Sequence, residues 1–398
     1  MTSMLEFERS LRAAAPHALV DTARDRIVTV FGATGVELLL ADYGLTVLQP
    51  VDAAGDTTLA LPLHDSAEGR AFGSQEPRAD APRDGQVAHH LPVTVRGERL
   101  GVLTVRLPQD RSTPEAVAEL AHVAALLGHE ILVAERDTDL YQRARRVNRL
   151  TLAAEMQWQL LPGRACAQRE FEIGAQLEPA YAVHGDNFDW SSDDTGLTLA
   201  VTNGMSEGIK ASLLTNLAVN ALRNARRAGI GIADQAALAD QAVYAQHHGA
   251  LYVSTLLMHF DLATGRTLAV DAGSPQLWRR RGRSVERVHL DAQLPLGMFE
   301  ESDYRPQTVD IRPGDRLLVV SDGVYRAASP RGEAYGERAL VRAVQSTGLL
   351  PAAAVPGAVL RELAAHRGAD TTDDALVLCL DWHGRTDAAG SEAGAGDA

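Results

Sequence analysis

Arg316-Leu317-Leu318-Val319-Val320-Ser321-Asp322-Gly323 decides the reading of the fold. A short apolar, β-branched run suits a strand buried on both faces, and here it ends abruptly on a carboxylate and a glycine. Two more segments share that design. Asp373-Asp374 precedes the apolar run Ala375-Leu376-Val377-Leu378-Cys379-Leu380, and His184-Gly185-Asp186-Asn187-Phe188-Asp189 follows a strand. Singly, each is an ordinary turn sequence. Together they place carboxylates at strand ends in one stretch of chain, where they can converge on one rim of a sheet. Hard divalent cations such as magnesium or manganese take oxygen ligands of this kind. A pair of such ions can activate water and clamp a phosphoryl group.

Around these segments, residues 170–382 alternate short strands and helices. The pattern predicts strands at 170–178, 195–202, 252–261, 266–271, 275–281, 305–311, 315–320 and 375–382. It predicts helices at 207–228, 233–247, 337–345 and 353–367. Tight turns such as Ala263-Thr264-Gly265 and Pro313-Gly314-Asp315 join the strands and argue for antiparallel sheets. Arg279–Arg283 is a basic patch read as a solvated hairpin tip, and the adjacent His247 and His248 do not share a helix face, so they make a poor chelate.

Further upstream, residues 5–34 read as one helix, with strands at 36–44 and 46–51, a short helix near Ser66–Phe72 and a clear hairpin over 90–108 turning at Arg96-Gly97-Glu98. Ser112 with Glu115 resembles a capping box, with Pro114 in the first turn. Val117, Leu120, Ala124, Leu127 and Ile131 form one helical stripe; Leu140, Ala144, Val147, Thr151, Ala154, Trp158 and Leu161 form a second, out of frame with it. The spacing suits a parallel coiled-coil homodimer, or equally an amphipathic helix packed on its own domain. Pro162-Gly163 ends the run, and the tail 385–398, without an apolar anchor, reads as disordered.

Composition bounds the rest. The 398 residues, 45% apolar and 23% charged, are long enough for two or three globular domains. A net charge of −14 makes the chain a poor candidate for gripping nucleic acid through phosphates. No uninterrupted apolar run approaches the roughly 18 residues of a membrane span, and the N-terminus has no apolar leader. Cys166 and Cys379 are the only cysteines, too few for a disulfide framework, and fit a reducing cytoplasm.

The ordered series QWQLLPG (157–163), VHGDNFDW (183–190), a helix entered at Glu207-Gly208, DAGSPQLW (271–278), LPLGM (294–298), PGDRLLVVSDGV (313–324) and TTDDALVLCL (371–380) resembles the SpoIIE/RsbU branch of the PPM metal-dependent serine/threonine phosphatases. Residues 5–135 resemble, on strand pattern and hairpin alone, a GAF domain, a sensor module often placed before this phosphatase. The resemblance implies an α+β chain: a GAF-like α/β sensor at 5–135, a helical linker at 136–163, and a PPM sandwich of two antiparallel sheets flanked by helices at 164–384. It also implies a two-metal Mg2+ or Mn2+ centre. Asp186 matches the first-motif aspartate, and Asp322 and Asp373 match those that hold the second metal. Asn203 stands where the family has an aspartate bridging both metals, and the Gly204 carbonyl would complete one of them. Asn offers one neutral oxygen where Asp offers two charged ones. Further departures are Glu207 for a lysine, Ser274 for a histidine, His184 for a glycine, and Arg326 where an acidic residue is common.

The expected activity is metal-dependent hydrolysis of phosphoserine or phosphothreonine on a bacterial regulatory protein, with an anti-sigma-factor antagonist as the implied substrate. An unknown GAF ligand would control it; nucleic acid and membrane are not expected partners. The alternatives are a pseudophosphatase that binds a phosphoprotein without turnover, for which Asn203 is the main support, and a ligand sensor with the second domain as a mere output platform.

Overall fold

The computed structural model describes residues 2–51, 57–178, 185–368 and 373–385. The tail assigned above to disorder lies, beyond residue 385, outside the described residues, as does His184. The chain divides into two compact units, residues 1–149 and 150–398.

In the first unit, α1 (Thr2–Ala13) and α2 (Leu19–Phe31) replace the single helix expected over 5–34. Pro16 causes the break: the residue before a proline is pushed out of the helical region, and Ala15 is extended (φ −63°, ψ 144°). Six strands follow: β1 (Gly35–Ala41), β2 (Val47–Pro50), β3 (Leu61–Pro62), β4 (Arg78–Ala79), β5 (Gln86–Val95) and β6 (Glu98–Pro108). Among the described residues they form one antiparallel sheet in the order β3-β2-β1-β6-β5-β4. The β5–β6 hairpin turns where expected, with positive φ at Arg96 (50°) and Gly97 (92°), the backbone a two-residue turn requires. Between β3 and β4 lies α3 (Ala67–Ser74), whose first turn is capped by the Ser66 hydroxyl accepting the Gly69 N–H at 2.9 Å.

Helix α4 (Pro114–Ala134) is capped by Thr113, one residue beyond the expected Ser112; the Thr113 hydroxyl accepts the Ala116 N–H at 3.2 Å. Among the described residues α4 alone has the length and apolar composition of a membrane span. Its Leu120, Val123, Leu127 and Ile131 are nevertheless buried with Phe7, Leu11, Ile27 and Leu103 in the core of this unit. The stripe that suited a coiled coil is therefore covered by the unit's own helices and sheet. Nor is there one helix from 117 to 161: α4 stops at Ala134, α5 spans only Leu140–Ala144, and α6 (Leu152–Leu160) opens the second unit. Tyr141 of α5 is fully buried and its hydroxyl donates to the Pro16 carbonyl at 2.7 Å, holding that short helix to its own core.

The second unit holds β7 (Ala165–Ala167), β8 (Phe171–Glu178), β9 (Asn187–Ser192), β10 (Gly196–Gly204), α7 (Gly208–Arg227) and α8 (Ile232–His247). It continues with β11 (Val253–Asp261), β12 (Thr267–Ala272), β13 (Gln276–Arg281), β14 (Ser284–Val288), β15 (Gln307–Val309) and β16 (Asp315–Val320). Then come α9 (Asp322–Tyr325), α10 (Gly336–Ser346), α11 (Val355–Arg367) and β17 (Ala375–Trp382). Among the described residues these strands form two antiparallel sheets, β15-β12-β11-β10-β9 and β14-β13-β16-β17-β8-β7. Phe260 of the first and Trp382 of the second meet with ring centroids 5.4 Å apart, both fully buried. All six residues of β16 are buried: Leu317–Val320 by their apolar side chains, and Asp315 and Arg316 through ion pairs with Arg281 and Asp381. Each such Val or Leu contributes about 1.5–3 kcal/mol on burial.

Three short strands escaped the sequence pattern: β7, β9 and β14. Each is an edge strand, paired on one side only, so its ladder rather than its own composition makes it a strand. The basic run at 279–283 covers the end of β13 and the turn into β14, and Arg281 pairs with Asp315 at 2.7 Å and Asp310 at 2.9 Å.

Candidate active site

Strand register gathers the site. In the first sheet Thr202 of β10 pairs with Asn187 of β9, so the end of β10 (Asn203, Gly204) lies beside the start of β9, where Asp186 sits. In the second sheet Val320 of β16 pairs with Val377 of β17, so Asp322 at the end of β16 lies beside Asp373 and Asp374 at the start of β17. Antiparallel pairing thus turns four strand termini, distant in sequence, into two adjacent pairs.

The turns around these termini are tightly held. The Gly204 N–H donates to the Gly185 carbonyl at 3.2 Å, and the Thr215 hydroxyl of α7 donates to the same oxygen at 2.7 Å. Gly185 has φ +117°, a conformation other residues rarely adopt. Gly323 admits no side chain, because a Cβ would come 1.8 Å from the Asp374 carbonyl oxygen. Ser321 ties the second pair together: its N–H donates to the Leu376 carbonyl at 3.1 Å, and its hydroxyl accepts the Leu376 N–H at 3.0 Å.

Asp186 is the buried centre, 2% exposed. Its N–H donates to Asp374 Oδ2 at 3.2 Å, and its carbonyl accepts the side-chain N–H of Gln157 on α6. Its Oδ2 is buried with no hydrogen-bond partner among the described residues. Burial first, and the Asp374 carboxylate next, push Asp186 well above the usual carboxylate range; a Ser321 hydrogen bond opposes this, while Asp373 and Asp322 add to it. Asp186, Asp322 and Asp373, the acids expected from the sequence, therefore lie within electrostatic reach of one another.

Asn203 also joins the group, as a donor. Its side-chain N–H2 donates to Asp322 Oδ1 and to Ser274 Oγ, the latter at 3.2 Å. The Ser274 carbonyl in turn accepts the Tyr325 hydroxyl at 3.0 Å. Arg326 approaches the other oxygen of Asp322, with Nη1 3.2 Å from Oδ2. Glu207 is exposed at the N-terminus of α7, with no side-chain cap. Asp189, from the same motif as Asp186, is spent on Arg223 (2.7 Å) and Arg226 (2.8 Å).

Sequence reasoning missed two positions. Asp374 rather than Asp373 is the buried member of the pair and the one hydrogen-bonded to Asp186. Alternation along β17 carries that signal: Asp374 is even-numbered like the buried Leu376, but the strand is buried on both faces and the parity is masked. Gln157 belongs to a recognised motif, yet only the folded chain shows its amide reaching Asp186.

Does this site fit divalent cations? The orphaned Asp186 oxygen, among three more carboxylates, suits one. A bridged pair does not fit. Asn203 directs N–H rather than oxygen at Asp322, and no three His, Cys, Asp or Glu among the described residues converge as a ready-made cage.

A sandwich of two antiparallel sheets with carboxylates gathered at one end is the architecture of PPM phosphatases, and the comparisons bear on it. The family model described as Stage II sporulation protein E (SpoIIE) matches residues 193–383, so the C-terminal half carries a SpoIIE-family PPM phosphatase domain. Phosphoserine phosphatase RsbU of Bacillus subtilis is 19% identical over 211 residues, covering 53% of this chain and 63% of that protein. Protein IcfG of Synechocystis is 23% identical over 225 residues, covering 49% of this chain and 36% of that protein. The chain thus spans less than two thirds of either relative. Among solved structures, the SiaA PP2C domain of Pseudomonas aeruginosa superposes with a TM-score of 0.50 at 22% identity, over 58% of this chain and 94% of that one, a likeness of fold. PPM phosphatases typically bind magnesium or manganese. The family match lies wholly within the second unit.

Proposed function

We propose that this chain is a cytoplasmic signalling phosphatase that hydrolyses phosphoserine or phosphothreonine on a regulatory protein, under control of its N-terminal unit. The observation that carries the reading is the buried Asp186 oxygen without a hydrogen-bond partner among the described residues, in a carboxyl group whose proton affinity Asp374, Asp373 and Asp322 all raise. The cost of burying the Asp186 carboxylate beside other acids is offset either by a proton or by a bound cation. Asp186 and Asp374, whose carboxylate accepts the Asp186 N–H, would supply ligands to a magnesium or manganese ion. Such an ion polarises a phosphoryl oxygen and makes water a nucleophile at neutral pH. The protein's own part is positional. Gln157 and the Gly185 turn fix the Asp186 backbone, Ser321 fixes the two strand ends, and Asn203 orients Asp322.

Residues 5–135 would act as a GAF-like sensor for a small molecule, and 164–384 as the phosphatase. The likeness to RsbU supports phosphoserine as substrate, and an anti-sigma-factor antagonist is the proposed phosphoprotein. Release of phosphate from a phosphoserine peptide with manganese, abolished by chelator and by Asp186→Asn, is the expected result. Equal release without metal would reject the proposal. The second reading, a pseudophosphatase that binds the phosphoprotein without turnover, is favoured by the Asn203 amide donating to Asp322. It predicts peptide binding with no phosphate release at saturating manganese.

A further inference from the structure

Asp322 is held on both of its oxygens by nitrogen donors. Asn203 Nδ2 donates to Oδ1, and Arg326 Nη1 lies 3.2 Å from Oδ2. Turning the Asn203 amide over would set its carbonyl oxygen against the Asp322 carboxylate, while the Ser274 hydroxyl can serve either orientation. Arg326 is tied by the backbone: its N–H donates to the Asp322 carbonyl at 2.8 Å, closing one helical turn, so the two side chains stand four residues apart on the same face. The guanidinium also lies against the Tyr325 ring, 5.6 Å from its centroid, and that ring is anchored through its hydroxyl to Ser274. Asp322, Arg326 and Asp373 line one cavity of about 500 Å³.

A dication entering beside Asp322 from this cavity meets the guanidinium charge of Arg326. It also meets an amide turned the wrong way to ligate. We infer that Arg326 is a tethered monovalent cation that holds the Asp322 side of the centre, so that the chain loads one divalent ion, at Asp186, and excludes a second. The inference rests on the phosphatase reading only in taking Asp186 as a cation site. Arg326 is a positioning residue here, setting the metal stoichiometry through Asp322 rather than by touching substrate.

Manganese titration of the full chain by calorimetry tests it. Wild type should bind one ion. Arg326→Ala and Arg326→Gln should each bind a second, weaker ion, and Arg326→Lys, which restores the charge, should bind one. The arginine is 69% exposed, so all three variants should fold, and melting in chelator checks that they do. Two ions on wild type, or one ion on both neutral variants, overturns the inference and leaves the phosphatase reading standing. No ion on any variant overturns both. Two ions on Arg326→Lys as well would show that the guanidinium's charge is not what excludes the second, and would overturn it too.

Discussion

Asn203→Asp replaces one N–H2 with oxygen and leaves the volume unchanged, so its consequences are electrostatic. In the wild type the amide donates to Asp322 Oδ1 and Ser274 Oγ. The new carboxylate forfeits a hydrogen bond to a charged group, about 1.5–3 kcal/mol. It also faces Asp322 as a like charge, about 4 kcal/mol at ~4 Å and an effective dielectric of ~20. The pair can relieve part of this by sharing a proton, as close carboxylates do. A net loss of roughly 2–4 kcal/mol without metal is expected. At about 2–4 °C per kcal/mol for a unit of this size, the metal-free melting temperature should fall by on the order of 5–15 °C. Manganese should reverse the sign: the added anion screens bound cations, so the variant should gain more from metal than the wild type does. Thermal melts of both proteins, in chelator and in excess manganese, read all four states. Equal melting temperatures in chelator would refute the claim that the amide holds Asp322. A variant no more metal-stabilised than wild type would refute the claim that a missing anion limits metal loading.

Gly323→Ala should destabilise the second unit severely and abolish manganese binding, because its Cβ would lie 1.8 Å from the Asp374 carbonyl oxygen; circular dichroism and calorimetry read both effects. Burial pushes Asp271 up to about 6, above the unfolded carboxylate value of about 4, so the folded state holds that proton more tightly. Its stabilising contribution is complete below about pH 4 and is lost as pH rises towards 6. Asp271→Asn should flatten that part of the stability–pH curve, and an unchanged curve would count against the buried carboxyl. Leu127→Ala in α4 should cost about 2–5 kcal/mol by denaturant melting. That loss should not depend on protein concentration, since Leu127 packs in its own unit's core; a concentration-dependent loss would return this stripe to a subunit seam.

Much of the second unit was legible because its strands are extreme. The runs at 317–320 and 375–380 are short and apolar and are flanked by Asp residues, a pattern that suits a strand buried on both faces. The β5–β6 hairpin was legible for a related reason: Arg96-Gly97 interrupts two Val- and Leu-rich runs at the one place where the backbone reverses. The edge strands β7, β9 and β14 were not legible: β9, Asn187-Phe188-Asp189-Trp190-Ser191-Ser192, is half polar and is made a strand by its ladder with β10.

Helical periodicity had a different limit. The stripe on α4 states that one face is apolar and is silent on what covers it. A partner helix and the helices and sheet of the same unit present the same demand, and the folded chain chose the latter. Where chemistry is concerned, the order of motifs and the family resemblance it carries grouped Asp186, Asp322 and Asp373 at strand ends that can converge on one rim. Tertiary structure alone decided that Asp374 takes the buried place, and that Asn203 and Arg326 close on opposite oxygens of Asp322. Those outcomes depend on distances of a few ångströms across two sheets, where a hydrogen bond either forms or does not. Residue identity specifies which atoms can donate and accept, but only the packed backbone brings a given donor to a given acceptor.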